Sequence, residues 1–139
     1  MSHPYLLRAS LVPLGIFFAF GVNGMLNPNG HLRALHFPLH TETTAQKLNH
    51  ALMRIWGIRN ISVAYLFFLL WSTGDEVLMA RGLLAGLAIA VTDGFVSRAL
   101  TGGNELMHWG TLPVVGGIAA GVPEAHWTSD MELKLERQV

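Results

Sequence analysis

Polar side chains that could do chemistry are few in this sequence, and they stand inside apolar stretches: Asn23, Arg54, Arg59, Asn60, Asp93 and His108. A charged group near the centre of a bilayer costs ~2.5–3.5 kcal/mol on insertion scales, so it normally has a partner or borders a wet cavity. Together these side chains supply one carboxylate, one imidazole, two guanidiniums and two amides. An aspartate can act as general base on water or a hydroxyl, while an imidazole or guanidinium donates to a developing oxyanion. The set suits acid–base catalysis, with Asp93, His108 and Arg59 as candidate catalytic groups. Asn23, Asn60, Arg54, Trp56 and Trp109 are the candidate substrate-binding residues. Plainer readings stand beside these. Asp93 with Arg59 also fits a buried ion pair that fixes helix register. His108 also fits a satisfied core or interfacial histidine, and Arg54 a snorkelling side chain. Trp71 and Trp127 read as interface anchors or core.

The elements that must position these groups follow from the charge pattern. No charged residue occurs from Ala9 to Gly30. Further apolar blocks run over about 48–71, 77–98 and 106–122, and the first over about 6–26. Each is close to the ~20 residues needed to cross a bilayer. No period-two alternation is visible, so helices rather than a barrel are expected. The expected fold is all-α: an integral membrane four-helix up-down bundle, a single membrane domain over 1–139, with a polar tail at 123–139. A brief exposed helix is expected at Met131 to Arg137. The first block lacks a clean cleavage site and carries Pro13 near its start, which argues against a signal peptide. A long loop between helices 1 and 2, from about Leu26 to Lys47, opens on the turn-forming run Asn27-Pro28-Asn29-Gly30. The short Ser72–Glu76 link makes the next two helices an antiparallel hairpin.

In an up-down bundle the polar groups converge. Asn23 ends the first span, and Arg54 and Arg59 lie in the first half of the second. Asp93 falls roughly 24 Å along the third at 1.5 Å per residue. His108 opens the fourth. All belong to the half of the bundle that the long loop closes, with His31, His36, His40 and Glu42. Gly82 with Gly86, and Gly116, Gly117, Ala120 and Gly121, form stripes that let another helix approach, and would allow a homodimer. Lysines and arginines divide almost evenly between the two sides and only weakly favour termini in the cytoplasm.

Composition excludes other classes. The chain has 139 residues, 51% hydrophobic and 13% charged. Its mean hydropathy is +0.40. Nine basic residues balance nine acidic ones, leaving no net field to hold nucleic acid. Cysteine is absent, which removes disulfides and thiolate chemistry. The spacing of His31, His36 and His40 fits no standard zinc pattern, so no metal is expected. GxSxG, a P-loop and GxGxxG are missing, and no cofactor is expected.

Gly57-Ile58-Arg59-Asn60, Asp93-Gly94 and His108-Trp109-Gly110 together resemble a family of small four-span membrane proteins, the domain of unknown function 4267, found widely in fungi and some bacteria. Its pattern is G-x-R-[DN] in span two, an Asp followed by a small residue in span three, and His-x-Gly near the start of span four. The resemblance covers nearly the whole chain from the first span to Val122. Asn60 stands where many members carry Asp, which argues against a two-carboxylate mechanism here. Some fungal relatives of this size sit in biosynthetic clusters for polyketides and meroterpenoids, where small cofactor-free membrane proteins serve as cyclases, epoxide-opening hydrolases or isomerases. The anthrone oxygenases, a similar-sized four-span family, suit the motifs less well.

The resemblance therefore implies a cofactor-independent membrane enzyme of the endoplasmic reticulum. It would open an epoxide, or cyclise or isomerise a lipophilic intermediate that enters from the lipid bilayer. A non-catalytic scaffold for other membrane enzymes is the alternative, followed by a small transporter. The transporter would want midplane polar groups and an inverted repeat, and neither shows.

Overall fold

The computed structural model describes residues 4–121. Expectations for the tail at 123–139, Trp127 and the Met131–Arg137 helix lie outside the described residues. Six helices are followed by a helical stretch at residues 112–121. They are α1 (Pro4–Ala9), α2 (Leu11–Leu26), α3 (Pro28–Ala34), α4 (Thr43–Ser72), α5 (Glu76–Thr101) and α6 (Leu106–Trp109). The fold is all-α. Three helical stretches are long and apolar enough to cross a membrane: Leu7–Leu26, Thr43–Ser72 and Glu76–Thr101.

The first of these is interrupted at Ser10. Pro13 has no N–H to offer the carbonyl one turn back, and the neighbouring bond from Leu14 N to the Ser10 carbonyl is stretched to 3.5 Å. Ser10 is buried and donates its hydroxyl to the Leu7 carbonyl at 2.6 Å.

The run Asn27-Pro28-Asn29-Gly30 is a helix start rather than a plain turn. The Asn27 side chain accepts from Gly30 N at 3.1 Å, and Pro28 takes the first helical position, where a missing N–H costs nothing. The expected long loop thus contains α3. His36, with φ +58°, ends that helix as Phe37 N reaches back to the Leu32 carbonyl at 2.9 Å. His50 Nε2 meets Asn29 Oδ1 at 2.7 Å, tying α3 to α4.

The expected hairpin forms. Glu42 caps α4 through Thr44 N and Ala45 N, and Asp75 caps α5 through Leu78 N. Gly74, with φ +70°, makes the turn between α4 and α5. Phe67 meets Gly86, Leu70 meets Gly82 and Arg59 meets Asp93, so α4 and α5 are antiparallel.

The tightest crossing is between α2 and α4, and it runs through Gly21 and through Gly57, the first residue of the Gly57-Ile58-Arg59-Asn60 motif. A Cβ on Gly21 would lie 2.7 Å from the Gly57 carbonyl, and a Cβ on Gly57 would lie 2.7 Å from the Gly21 carbonyl. The expected stripes behave differently. Gly82 and Gly86 receive the side chains of Leu70 and Phe67, not a helix backbone, while Gly116 and Gly117 have nothing within 4 Å among the described residues.

The fourth apolar block is not one continuous helix among the described residues. It forms α6, a break at Gly110 and Thr111, and then the 112–121 stretch. Pro113 is the cause, because it cannot donate to the carbonyl of Trp109. The stretch still packs on the bundle. Val115, Ile118 and Ala119 join Phe67, Met79 and Leu83 in the core. This apolar cluster fills one end of the bundle and leaves the other end to the polar groups. Outward, Phe18, Ile55, Leu66 and Phe95 are each about half exposed, the surface expected of helices that face lipid.

Candidate functional site

Asp93 lies two turns before the end of α5 and is the centre of the polar half. Its Oδ2 accepts from Arg59 Nη2 at 2.7 Å and from Trp56 Nε1 at 3.3 Å. Both donors come from α4, where a spacing of three residues puts them on one face. The Arg59 guanidinium also sits 5.9 Å from the Trp56 ring centroid, a cation–π distance. Asp93 Oδ1 accepts no hydrogen bond among the described residues, so one oxygen is anchored and the other is without a partner there.

Behind Trp56 stands a residue expected in the closing loop and absent from the candidate catalytic and substrate-binding residues. His31, on α3, is 2% exposed. Its ring lies 4.7 Å from that of Trp56 with a 38° tilt, and 5.8 Å from Phe20. The Asn23 amide donates to His31 Nδ1 at 2.8 Å. The imidazole therefore carries its proton on Nε2, which is buried without a partner among the described residues. Burial pushes the His31 pKa below its ordinary value, and the positive field of His108 adds to this. The signal in the sequence was the Asn27-Pro28 cap, which turns the supposed loop into a helix and brings His31 back beneath α2. On the same flank Glu42 has its pKa lowered, because the amides of Ala45 and Thr44 favour its carboxylate.

Two cavities meet at this centre. The inner one, about 70 Å³, is lined by α2, α4, α5 and residues 107–115, with Asn60, Asp93, His108 and Thr111 among otherwise apolar side chains. The outer one, about 330 Å³, lies under the α3–α4 connection and is lined by Leu35, Phe37, His40, Met53, Val96 and Leu100, among others. Trp56, Asp93 and His108 line both. They form the wall between the two spaces. His108 Nε2 and Asn60 Oδ1 are buried and have no hydrogen-bond partner among the described residues.

The structure thus brings Asp93, Arg59, Trp56, His108 and Asn60 together. Asn23 stands one layer away and acts on His31. Arg54 is exposed on α4 and lines neither cavity. Trp109 lines neither cavity. It packs against Gly94 and Phe95 and donates its Nε1 to the Val91 carbonyl at 3.3 Å, so it fastens α6 to α5. Arg98, paired with Glu105 at 2.9 Å across the Gly102–Asn104 turn, holds the same junction. Among the described residues no three His, Asp or Glu side chains converge as a metal-holding group.

A family model described as a domain of unknown function (DUF4267) matches residues 15–122, and the chain belongs to that family. The match spans every residue of the site, from Asn23 to Trp109. No curated protein and no solved structure matches the chain.

Proposed function

We propose that this member of the DUF4267 family is a membrane-embedded enzyme that works by acid–base chemistry on a lipophilic substrate. It would open an epoxide, or cyclise or isomerise an intermediate of the polyketide or meroterpenoid kind. The observation that carries this reading is the shared wall: Trp56, Asp93 and His108 border both cavities. A carboxylate with one oxygen anchored by Arg59 and Trp56, bordering the same cavities as an imidazole, suits proton transfer at a bound molecule. The outer cavity falls within the ~300–1,000 Å³ range of small-molecule sites, and its aliphatic and aromatic walls suit an apolar ligand.

In this mechanism Arg59 and Trp56 hold Asp93 Oδ2, so that Oδ1 takes a proton from water or from a substrate hydroxyl. Protonated His108 delivers a proton to the oxygen that leaves or acquires charge. Asp93 then returns its proton to His108, and both groups are reset. These steps use only side chains of the chain itself. The half-exposed apolar outer surface and three span-length helices support a multi-pass location, and the endoplasmic reticulum membrane would supply both bilayer and substrate.

Metabolite profiling tests the reading. The gene is deleted in its host and restored as wild type or as Asp93→Asn at matched protein level. Deletion should accumulate an intermediate that wild type clears and Asp93→Asn does not. Clearance by both versions would make Asp93 structural and bring the scaffold reading forward.

A further inference from the structure

Building on the acid–base reading, we propose that the outer cavity selects its ligand by charge: it takes an uncharged molecule that presents a hydroxyl to Asp93 and rejects acids and amines of the same shape. The cavity, about 330 Å³, is apolar along most of its length, with Leu35, Phe37, Leu52, Met53 and Val96 on its sides. Asn49 and Trp56 stand two turns apart on α4, as Asp93 and Leu100 do on α5, which sets roughly 10 Å between the two ends at 1.5 Å per residue. One end is a rim, where Leu100 is 64% exposed and Leu52 54%. The other end is closed by Trp56, Asp93 and His108. The polar contact for a ligand therefore lies at the far end of an apolar slot.

The charges around the slot decide what that contact accepts. Asp93 is the one acidic side chain among its described lining residues. Arg33 on α3, Lys47, Arg54 and Arg59 on α4 and Arg98 on α5 belong to the elements that build the cavity, yet none of them lines it and all are exposed. At about pH 8, above the ~6.5 of an ordinary imidazole, His40 and His108 add no cation either. An anionic head would thus meet a carboxylate with no opposite charge on the described wall, and an unpaired charge in an apolar space is costly. A cationic head would come beside the guanidinium that Asp93 Oδ2 already holds at 2.7 Å, and would give up its hydration to do so. A hydroxyl meets neither cost. It donates to Asp93 Oδ1, the oxygen that Arg59 and Trp56 leave without a partner among the described residues, and a bond to an ionised acceptor is stronger than a neutral one. Asp93 keeps 19% of its side-chain surface, so its carboxylate is within a ligand's reach. The substrate class is then a neutral lipophilic alcohol or phenol, and the proton that Asp93 takes is the proton of that hydroxyl rather than of water.

The test measures binding and needs no turnover. The full chain in detergent micelles, with carbon-13 in its methionine methyl groups, is titrated at about pH 8. The probes share a naphthalene body: 2-naphthalenemethanol, its methyl ether, 2-naphthoate and 2-naphthylmethylammonium. Affinities are referred to the probe dissolved in the micelle, which removes differences in partition. Met53 lines the outer cavity but not the inner one, and Met107 the inner but not the outer, so the two methyl signals locate the probe. The alcohol should shift Met53 more than Met107 and bind roughly tenfold or more tighter than the other probes, the worth of a hydrogen bond to a charged acceptor. In Asp93→Asn, at unchanged helix content, the gap between alcohol and ether should narrow and the acid should gain. Equal affinity for all four, a preference for the acid or the amine, a Met53 signal that no probe moves, or a ranking that Asp93→Asn leaves unchanged would each overturn the proposal. The acid–base reading fails separately, through clearance of the accumulated intermediate by Asp93→Asn, whereas a wrong ranking of probes leaves that reading standing.

Discussion

At the scale of single residues, the proposed acid–base chemistry rests on one carboxylate. Asp93 is 19% exposed and Arg59 41%, so the pair sits at the edge of the bundle rather than deep inside it. Removing the charge while keeping the shape should therefore spare the fold and remove the chemistry. Asp93→Asn is expected to lower turnover by about 10²–10⁴-fold, the usual worth of a general base, with unchanged helix content by circular dichroism. His31 gives a separate signature. Burial and the field of His108 hold its pKa below the ordinary 6.5. Below that value the unfolded chain takes up a proton that the folded chain resists, so stability is fully present above it and is lost as pH falls toward the depressed value. Thermal melts in detergent between pH 7 and pH 5 should show a decline that His31→Gln flattens. An identical slope in both proteins would mean that His31 is not the titrating group.

At the scale of elements, glycines and caps decide where the site can form. Gly21 and Gly57 let the α2 and α4 backbones touch, and this contact sets Trp56 against His31. A Cβ at Gly57 would lie 2.7 Å from a backbone oxygen that cannot rotate away. Gly57→Ala should therefore cost roughly 1–3 kcal/mol, the usual range for overpacking, read as a lower unfolding temperature. Asn27→Ala removes the α3 cap and should cost about 1 kcal/mol. Because α3 carries His31, that variant should also weaken the protection of Trp56 from collisional quenchers, whereas a purely local effect would leave the quenching unchanged. The start of α3 was legible only as a turn signal. Asn-Pro-Asn-Gly suits both a turn and a capped helix, and what separates them is whether the following residues, here His31 and Leu32, find something to bury against.

At the scale of the whole molecule the bundle has an apolar end, where Phe67, Met79, Leu83, Val115 and Ile118 meet, and a polar end closed by the α3–α4 connection. If the three long helices cross a bilayer, the Thr73–Asp75 turn and the Gly102–Asn104 turn lie on opposite sides, and His40 lies on the side of the second. The chain has no native cysteine, so single replacements report cleanly. Thr73→Cys should be labelled by a membrane-impermeant maleimide from one side only, and Gly103→Cys and His40→Cys from the other. Labelling of all three from the same side would reject the three-span arrangement.

The sequence by itself determined the all-α character, three of the four expected span-length helices and the half of the molecule in which the polar groups gather. Those features follow from local periodicity, from hydropathy and from the fixed rise of a helix, none of which needs a neighbour. It also placed Asp93 with Arg59, because a charge in an apolar helix requires a partner at similar depth. The tertiary structure alone decided the rest. Trp109 is a fastener and Arg54 an outward side chain, while Trp56 faces Asp93, because rotation about a helix axis is set by packing, not by depth. His31 became part of the site because two glycines let α2 and α4 close to contact. The two cavities, and the three side chains that divide them, exist only where elements distant in the chain fail to fill the space between them.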